Sequence, residues 1–158
     1  MSKLRETEPL FIVEDNAADF ETILLLLSEA GLKAPVVHCR TGEEALQRIE
    51  KVRAQPPSGR EVPAHILLDL NLPGLGGLDV LTDVRRDPLF ASVPVTIFTT
   101  SSNPRDVEGC YHAGANSYLI KPVNFERMEK MLRGFASYWF DFVEYPEHRG
   151  GIRAGSTA

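Results

Sequence analysis

Five side chains that could do chemistry each follow a short apolar segment of the chain. They are Glu14, Asp15, Asp69, Thr99 and Lys121. Short apolar segments bounded by loop residues are typical of strands buried in a parallel sheet. Ligands bind outside the carboxyl ends of such strands. The sequence therefore predicts that three carboxylates, one hydroxyl and one ammonium group meet in a single pocket.

The three acids point to a metal site and to phosphoryl chemistry. Burying Glu14, Asp15 and Asp69 without a partner would be costly, and a divalent cation would compensate their charge. Hard oxygen ligands that are open to water favour Mg²⁺ over zinc, so Mg²⁺ is the expected cofactor. Such a cation can hold a phosphoryl group against Asp69, while Thr99 and Lys121 contact the phosphoryl oxygens. The product would be an acyl phosphate on Asp69.

Each of these residues alone has a simpler structural explanation. Glu14 and Asp15 could form a solvated strand end before a helix, Lys121 could be a surface lysine, and threonine is common in strands. Their shared position after successive strands favours one functional site over coincidence.

Strand-like and helix-like segments alternate five times along the chain. This alternation predicts an α/β domain with a five-stranded parallel sheet, helices on both faces and right-handed crossovers. The Pro-, Ser- and Gly-rich stretch 54–63 is long for a helix-to-strand connection and is interpreted as an insertion. We expect one domain at residues 9–145, between disordered tails at residues 1–8 and 146–158.

Composition excludes several other classes of protein. The chain has 158 residues, 43% of them hydrophobic, and a net charge of −5, which argues against general binding to nucleic acids or anionic membranes. No apolar run is long enough to span a bilayer, and the N-terminus lacks a signal peptide core. Cys39 and Cys110 are isolated and are expected to be reduced thiols. We therefore predict a cytoplasmic protein.

The last predicted helix is unusually rich in aromatic residues. Its apolar residues alternate spacings of three and four, and around 138–143 the helix is apolar on nearly every side. A small domain has no element left to cover both faces, and exposed aromatic patches usually mark contacts. We predict a homodimer on this extended helix rather than ordinary core with an aromatic cap. The interface residues would be Phe135, Tyr138, Trp139, Phe140 and Phe142.

Four motifs together resemble the receiver domain of two-component response regulators over nearly all of residues 9–144. The motifs span residues 11–16, 66–74, 93–100 and 114–122. The resemblance implies a flavodoxin-like fold and a chain that is not an enzyme, apart from self-catalysed phosphorylation and dephosphorylation. It implies that Asp69 takes its phosphoryl group from a phosphohistidine of a sensor histidine kinase.

The resemblance also implies roles for individual residues of the site. Asp15 and Asp69 would bind the metal through their side chains, Asn71 through its backbone carbonyl, and Glu14 mainly through a water molecule. In the family's switch, Thr99 turns toward the phosphate and Tyr118 swings inward, which shifts the surface of helix four, strand five and helix five. The Lys121–Pro122 peptide would be cis.

The insertion and the long last helix resemble the small stand-alone regulators that partner phytochrome-type histidine kinases. In that group the last helix contributes to dimers. No DNA-binding or enzymatic output domain follows in this sequence, so the phosphorylated surface itself is the expected output.

Three other functions are compatible with parts of the pattern. A haloacid-dehalogenase-type phosphatase also uses an aspartate nucleophile with Mg²⁺, but its usual general acid would be Asn71 here, and no cap domain is evident. A flavin-binding module would need a phosphate loop where Glu14, Asp15 and Asn16 stand. A phosphate shuttle or a constitutive dimeric scaffold would keep the fold without the switch.

Overall fold

The structure, a computed structural model, describes residues 6–146 of the chain. Five parallel strands form one sheet in the order β2-β1-β3-β4-β5, which is the flavodoxin-like order and confirms the predicted architecture. The strands are β1 (Leu10–Val13), β2 (Val36–Cys39), β3 (His65–Leu68), β4 (Val95–Thr99) and β5 (Ser117–Ile120). Most of the two tails predicted to be disordered, residues 1–5 and 147–158, lies outside the described residues.

Five helices cover the two faces of the sheet. They are α1 (Ala17–Glu29), α2 (Gly42–Ala54), α3 (Gly77–Arg86), α4 (Pro104–His112) and α5 (Phe125–Ala136). One hydrophobic cluster joins the sheet to α2, α3 and α4, and a second cluster joins it to α1 and α5. Every residue of β1, β3 and β4 is buried, because these three strands have neighbours on both sides and helices on both faces. This explains why they are nearly continuous apolar runs in the sequence.

Side-chain caps fix the starts of the helices that flank the site. The carboxamide oxygen of Asn16 accepts a hydrogen bond from the backbone N–H of Asp19 at 2.9 Å, which makes Asn16 the N-cap of α1. At α2 the hydroxyl of Thr41 accepts the backbone N–H of Glu44 at 3.0 Å. The Glu44 carboxylate accepts from the N–H of Arg40 rather than from that of Thr41, so only one of the two hydrogen bonds of a capping box forms.

The predicted insertion folds back onto the end of α2. The Arg60 side chain donates to the backbone carbonyl of Gln55 at 3.0 Å, and the backbone N–H of Glu61 donates to the Gln55 side chain at 2.9 Å. Val62 is buried in the core. The segment is therefore an ordered loop, and the buried side chain of Val62 holds it against the core shortly before β3 begins.

The chain beyond α5 continues as a π-helical segment, Ser137–Phe142. A sequence pattern with spacings of three and four predicts one α-helix, and the wider π-helical turn ends that register. Trp139 packs against His65, with 4.5 Å between the ring centroids. Among the described residues, no helix combines the length and apolar composition that crossing a bilayer would need.

Candidate functional site

Three of the predicted site residues lie at the carboxyl edge of the sheet, directly after or at the ends of adjacent central strands. Glu14 follows β1, Asp69 follows β3, and Thr99 ends β4. All three are buried, with exposed fractions of 2%, 5% and 0%. Asp15 is exposed at the mouth of the pocket. The parallel register of the strands thus assembles the pocket that the sequence predicts.

The three acids form a group that could hold a cation. One carboxylate oxygen from each of Glu14, Asp15 and Asp69 lies within 4.8 Å of the other two. Carboxylates of this kind are the hard ligands that divalent cations such as Mg²⁺ and Mn²⁺ accept. The residues present therefore fit a divalent metal.

Lys121 is the cationic partner of this acidic group. Its Nζ donates to Glu14 Oε2 at 2.9 Å and to Asp69 Oδ2 at 2.9 Å, and its side chain is only 6% exposed. The backbone N–H of Lys121 donates to the carbonyl of Thr99 at 2.7 Å. The backbone of Lys121 is therefore hydrogen-bonded to the end of β4, and its side chain points into the pocket, as predicted.

The pKa values show how the pocket distributes its charge. Burial raises the pKa of Glu14 to about 7, although the hydrogen bond from Lys121 opposes this change. Burial acts in the same direction on Asp69, but the hydrogen bond and charge of Lys121 outweigh it, so the Asp69 pKa falls below its ordinary value. Burial lowers the pKa of Lys121, and its bonds to Glu14 and Asp69 reverse this and raise it. Near neutral pH, Asp69 is thus ionised while Glu14 is partly protonated.

The loop after β3 holds Asp69 in place. The backbone N–H of Asp69 donates to the carbonyl of Val13 at 3.1 Å, and the N–H of Asn71 donates to Asp69 Oδ1 at 3.1 Å. A Cβ atom on Gly77 would lie 2.1 Å from the Asp69 carbonyl oxygen. Only glycine allows α3 to begin this close to the acid.

Thr99 faces the same pocket. Its Oγ1 accepts from the side-chain amide of Asn71 at 3.2 Å and from the backbone N–H of Ser101 at 3.4 Å. Both contacts use the hydroxyl oxygen as acceptor, which leaves its proton free to be donated to a phosphoryl oxygen.

Tyr118, the predicted switch residue, packs against the core beside α4. Its hydroxyl donates to the backbone carbonyl of Ser101 at 2.9 Å, and burial raises its pKa. The side chain is thus joined to the loop that follows Thr99.

The expectation from the family resemblance that the Lys121–Pro122 peptide bond is cis is wrong. Within residues 6–146 no peptide bond is cis, so Lys121–Pro122 is trans. The trans form of an X–Pro bond is favoured by about 0.5–1 kcal/mol. With this bond trans, the Lys121 ammonium still contacts its carboxylate partners.

Two residues that the sequence did not assign to the site contact it. Asp19, which stands in the first turn of α1, accepts from Lys121 Nζ through Oδ2 at 3.1 Å. His38 donates from Nε2 to the backbone carbonyl of Glu14 at 2.8 Å, and its ring stacks on Phe20 with 3.5 Å between centroids. No local pattern in the sequence indicates either contact, because Asp15 precedes the N-cap Asn16 and its spacing of four from Asp19 is therefore not a helical spacing.

The predicted dimer residues differ in their exposure. Phe135 is only 5% exposed and belongs to the core of the subunit, where its ring lies edge-on to His65. Tyr138 and Phe142 are 56% and 74% exposed, and Trp139 and Phe140 are half-buried. A partner could therefore contact Tyr138 and Phe142 directly, but not Phe135.

Comparison with known proteins agrees with this geometry. The family model of the response regulator receiver domain matches residues 10–133. Response regulator Rcp1 of Synechocystis sp. is 33% identical over 137 residues, which cover 87% of this chain and 92% of that protein. The probable methanogenesis regulatory protein FilR2 of Methanothrix harundinacea is 32% identical over 137 residues, covering 87% and 86%.

Two solved structures are similar over almost the whole of their own chains. The phosphorylated cyanobacterial phytochrome response regulator RcpA has a TM-score of 0.80 and 30% identity, and the match covers 89% of this chain and 99% of that one. The Mn²⁺-bound form of Rcp1 has a TM-score of 0.78 and 31% identity, covering 88% and 99%.

Proposed function

Because this chain belongs to the response regulator receiver domain family, we propose that it accepts a phosphoryl group on Asp69 from a sensor histidine kinase. The observation that carries the proposal is the buried Asp69 carboxylate, paired with Lys121 at 2.9 Å beside a group of acids that fits a divalent metal. An ionised carboxylate in this position is a competent nucleophile. The chain would act in the cytoplasm as a phosphoacceptor, without turnover of an external substrate.

The transfer itself is an in-line displacement at phosphorus. An Asp69 carboxylate oxygen forms the new P–O bond while the P–N bond of the phosphohistidine breaks. The electron pair of that bond stays on the imidazole nitrogen, which takes up a proton, so that the ring leaves neutral. Lys121 moves its hydrogen bond from Asp69 to a phosphoryl oxygen, and Thr99 donates its hydroxyl proton to another.

We assign Mg²⁺ as the metal. Asp15 and Asp69 would bind it through their side chains, Asn71 through its backbone carbonyl, and Glu14 through a water molecule. Bound Mg²⁺ would offset the negative charge of the phosphoryl oxygens. The donor set consists of oxygen atoms, and the exposure of Asp15 leaves room for water ligands.

Phosphorylation would be transmitted through Thr99 and Tyr118. When the Thr99 hydroxyl turns to the phosphoryl group, its bond to Ser101 is released. The Tyr118 hydroxyl donates a hydrogen bond to the carbonyl of Ser101, so the position of the Tyr118 side chain depends on the position of the loop that follows β4. This is a two-state packing change biased by a new dianion, and it would alter the α4–β5–α5 surface.

The partners we propose are a phytochrome-type histidine kinase and a second copy of this chain. RcpA, which this chain resembles, is a cyanobacterial phytochrome response regulator. This similarity supports the first partner. The exposed rings of Tyr138 and Phe142 support a dimer on the last helix. Trp139 and Phe140 would border the contact, and Phe135 would support it from within the subunit.

The proposal is tested by intact mass after incubation with acetyl phosphate. Wild type should gain one phosphoryl group in Mg²⁺ and none in EDTA. Asp69→Asn should gain none, whereas the control Asp79→Asn, which alters an exposed aspartate on α3, should behave as wild type. Modification of Asp69→Asn to the same extent as wild type would exclude Asp69 as the acceptor.

A further inference from the structure

Lys121 has three carboxylate partners, and they do not have the same fate during phosphorylation. Its Nζ donates to Glu14 at 2.9 Å, Asp69 at 2.9 Å and Asp19 at 3.1 Å. An ammonium group has three N–H donors, so these bonds use all of them. The position of the ammonium is therefore set jointly by the three acids.

Two of the three partners are committed to other ligands when the site works. Glu14 and Asp69 belong to the group of carboxylates that fits a metal, and Asp69 loses its free carboxylate when it becomes an acyl phosphate. Asp19 does not belong to that group. It stands in the first turn of α1, and its side chain is 45% exposed. Of the three, Asp19 alone lies outside the group that fits the metal and is not the phosphoryl acceptor.

We propose that Asp19 is a positioning residue that holds the Lys121 ammonium over Asp69 while the metal and the phosphoryl group engage the other two carboxylates. The inference rests on the proposed function and extends it to a residue outside the acceptor and metal sets. An ammonium held in place at the start of transfer needs no reorganisation to reach the phosphoryl oxygens.

The position of Asp19 at a helix start offers a simpler explanation, in which it only complements the dipole of α1. That role requires a negative charge near the first turn, but not a contact with a lysine that is distant in the sequence. Asp19 and Lys121 are separated by 102 positions in the chain. The two explanations differ in what they predict for Lys121, and this difference can be measured.

The first experiment measures how fast Lys121 reacts with a small amine-acylating ester, by peptide mass spectrometry, in the full chain. Asp19→Asn is compared with wild type and with Glu21→Gln, which removes the same charge from an exposed position on the same helix. In EDTA, Glu14 and Asp69 still hold the ammonium, so all three proteins should react slowly. In Mg²⁺, Asp19→Asn should react about fivefold faster than the other two, as expected for loss of one half-exposed ion pair.

A second experiment follows phosphorylation against acetyl phosphate concentration. Asp19→Asn should lower the rate at saturation about fivefold without raising the half-saturating concentration, and Asp19→Glu should restore part of the rate. If Asp19 only repelled the anionic donor or supported α1, Asp19→Asn would instead be phosphorylated faster, or as fast as Glu21→Gln.

The outcomes separate this inference from the proposed function. Equal labelling of Lys121 in Asp19→Asn and wild type in Mg²⁺ would overturn the positioning role of Asp19. Absence of any phosphoryl adduct on wild type would contradict the proposed function, while the labelling experiment would still report on the contact between Asp19 and Lys121.

Discussion

Replacing Glu14 by glutamine should stabilise the metal-free protein at alkaline pH. Glu14 is 2% exposed, and its pKa rises from 4.5 to about 7 on folding. Each pH unit of such a change corresponds to about 1.4 kcal/mol, so ionised Glu14 destabilises the folded protein by roughly 3 kcal/mol. Glutamine has almost the same shape and removes the charge, so it should recover about this amount.

The effect should depend on pH in a defined way. Below pH 4.5 Glu14 is protonated in the folded and the unfolded protein, and its contribution to stability is fully retained. Between pH 4.5 and about 7 the unfolded chain releases its proton while the folded protein keeps it, so stability falls as pH rises. Above this interval the loss is complete and constant. Mg²⁺ binds the ionised form, so it should stabilise wild type more at alkaline pH.

Urea unfolding in EDTA measures the prediction, with the fluorescence of the single tryptophan, Trp139, as the probe. Glu14→Gln should be about 3 kcal/mol more stable than wild type near pH 8 and nearly equal to it near pH 4.5. Glu21→Gln serves as the control and should match wild type at both pH values. A Glu14→Gln protein that is less stable than wild type near pH 8 would refute the reasoning, because it would mean that the ionised Glu14 is a net stabilising partner of Lys121.

Three further changes test other parts of the account. Lys121→Ala leaves Asp69 and Glu14 without their ammonium partner, so urea unfolding near pH 8 should show a loss of about 3 kcal/mol, largely recovered in Mg²⁺. His38→Phe keeps the stack on Phe20 but removes the donor to the Glu14 carbonyl, so calorimetric titration should show weaker Mg²⁺ binding, whereas unchanged affinity would mean that His38 does not support the acidic loop. Joint replacement of Tyr138 and Phe142 by serine should give a monomer by light scattering, while Leu78→Ser, an exposed leucine on α3, should remain a dimer. A wild-type protein that is monomeric at high concentration would contradict the proposed interface.

The sheet and the principal site residues could be predicted from sequence because local patterns determine them. The buried strands are continuous apolar runs, and a parallel sheet brings their carboxyl ends to one edge. This rule alone predicts that Glu14, Asp69 and Thr99 lie close together. The N-cap of α1 at Asn16 was equally local, since an Asx side chain and a backbone N–H three residues later suffice.

Other features depend on packing between distant segments, and no local pattern indicates them. The contact of Asp19 with Lys121 requires α1 and the end of β5 to be placed relative to each other. Phe135 and Trp139, the latter within the π-helical segment Ser137–Phe142, both pack on the ring of His65 in β3. In the sequence, Phe135 belongs to the same aromatic stripe as Phe142, and only tertiary structure separates a core ring from an exposed one.

The central claim is that Asp69 itself carries the phosphoryl group, and chemical trapping tests it most directly. The protein is incubated with a phosphorylated histidine kinase domain in Mg²⁺, and borohydride then reduces any acyl phosphate to an alcohol, which converts the modified aspartate to homoserine. Peptide mass spectrometry should find homoserine at position 69 and at no other acidic residue. Homoserine at Asp15 or at another aspartate, with Asp69 unmodified, would contradict the account.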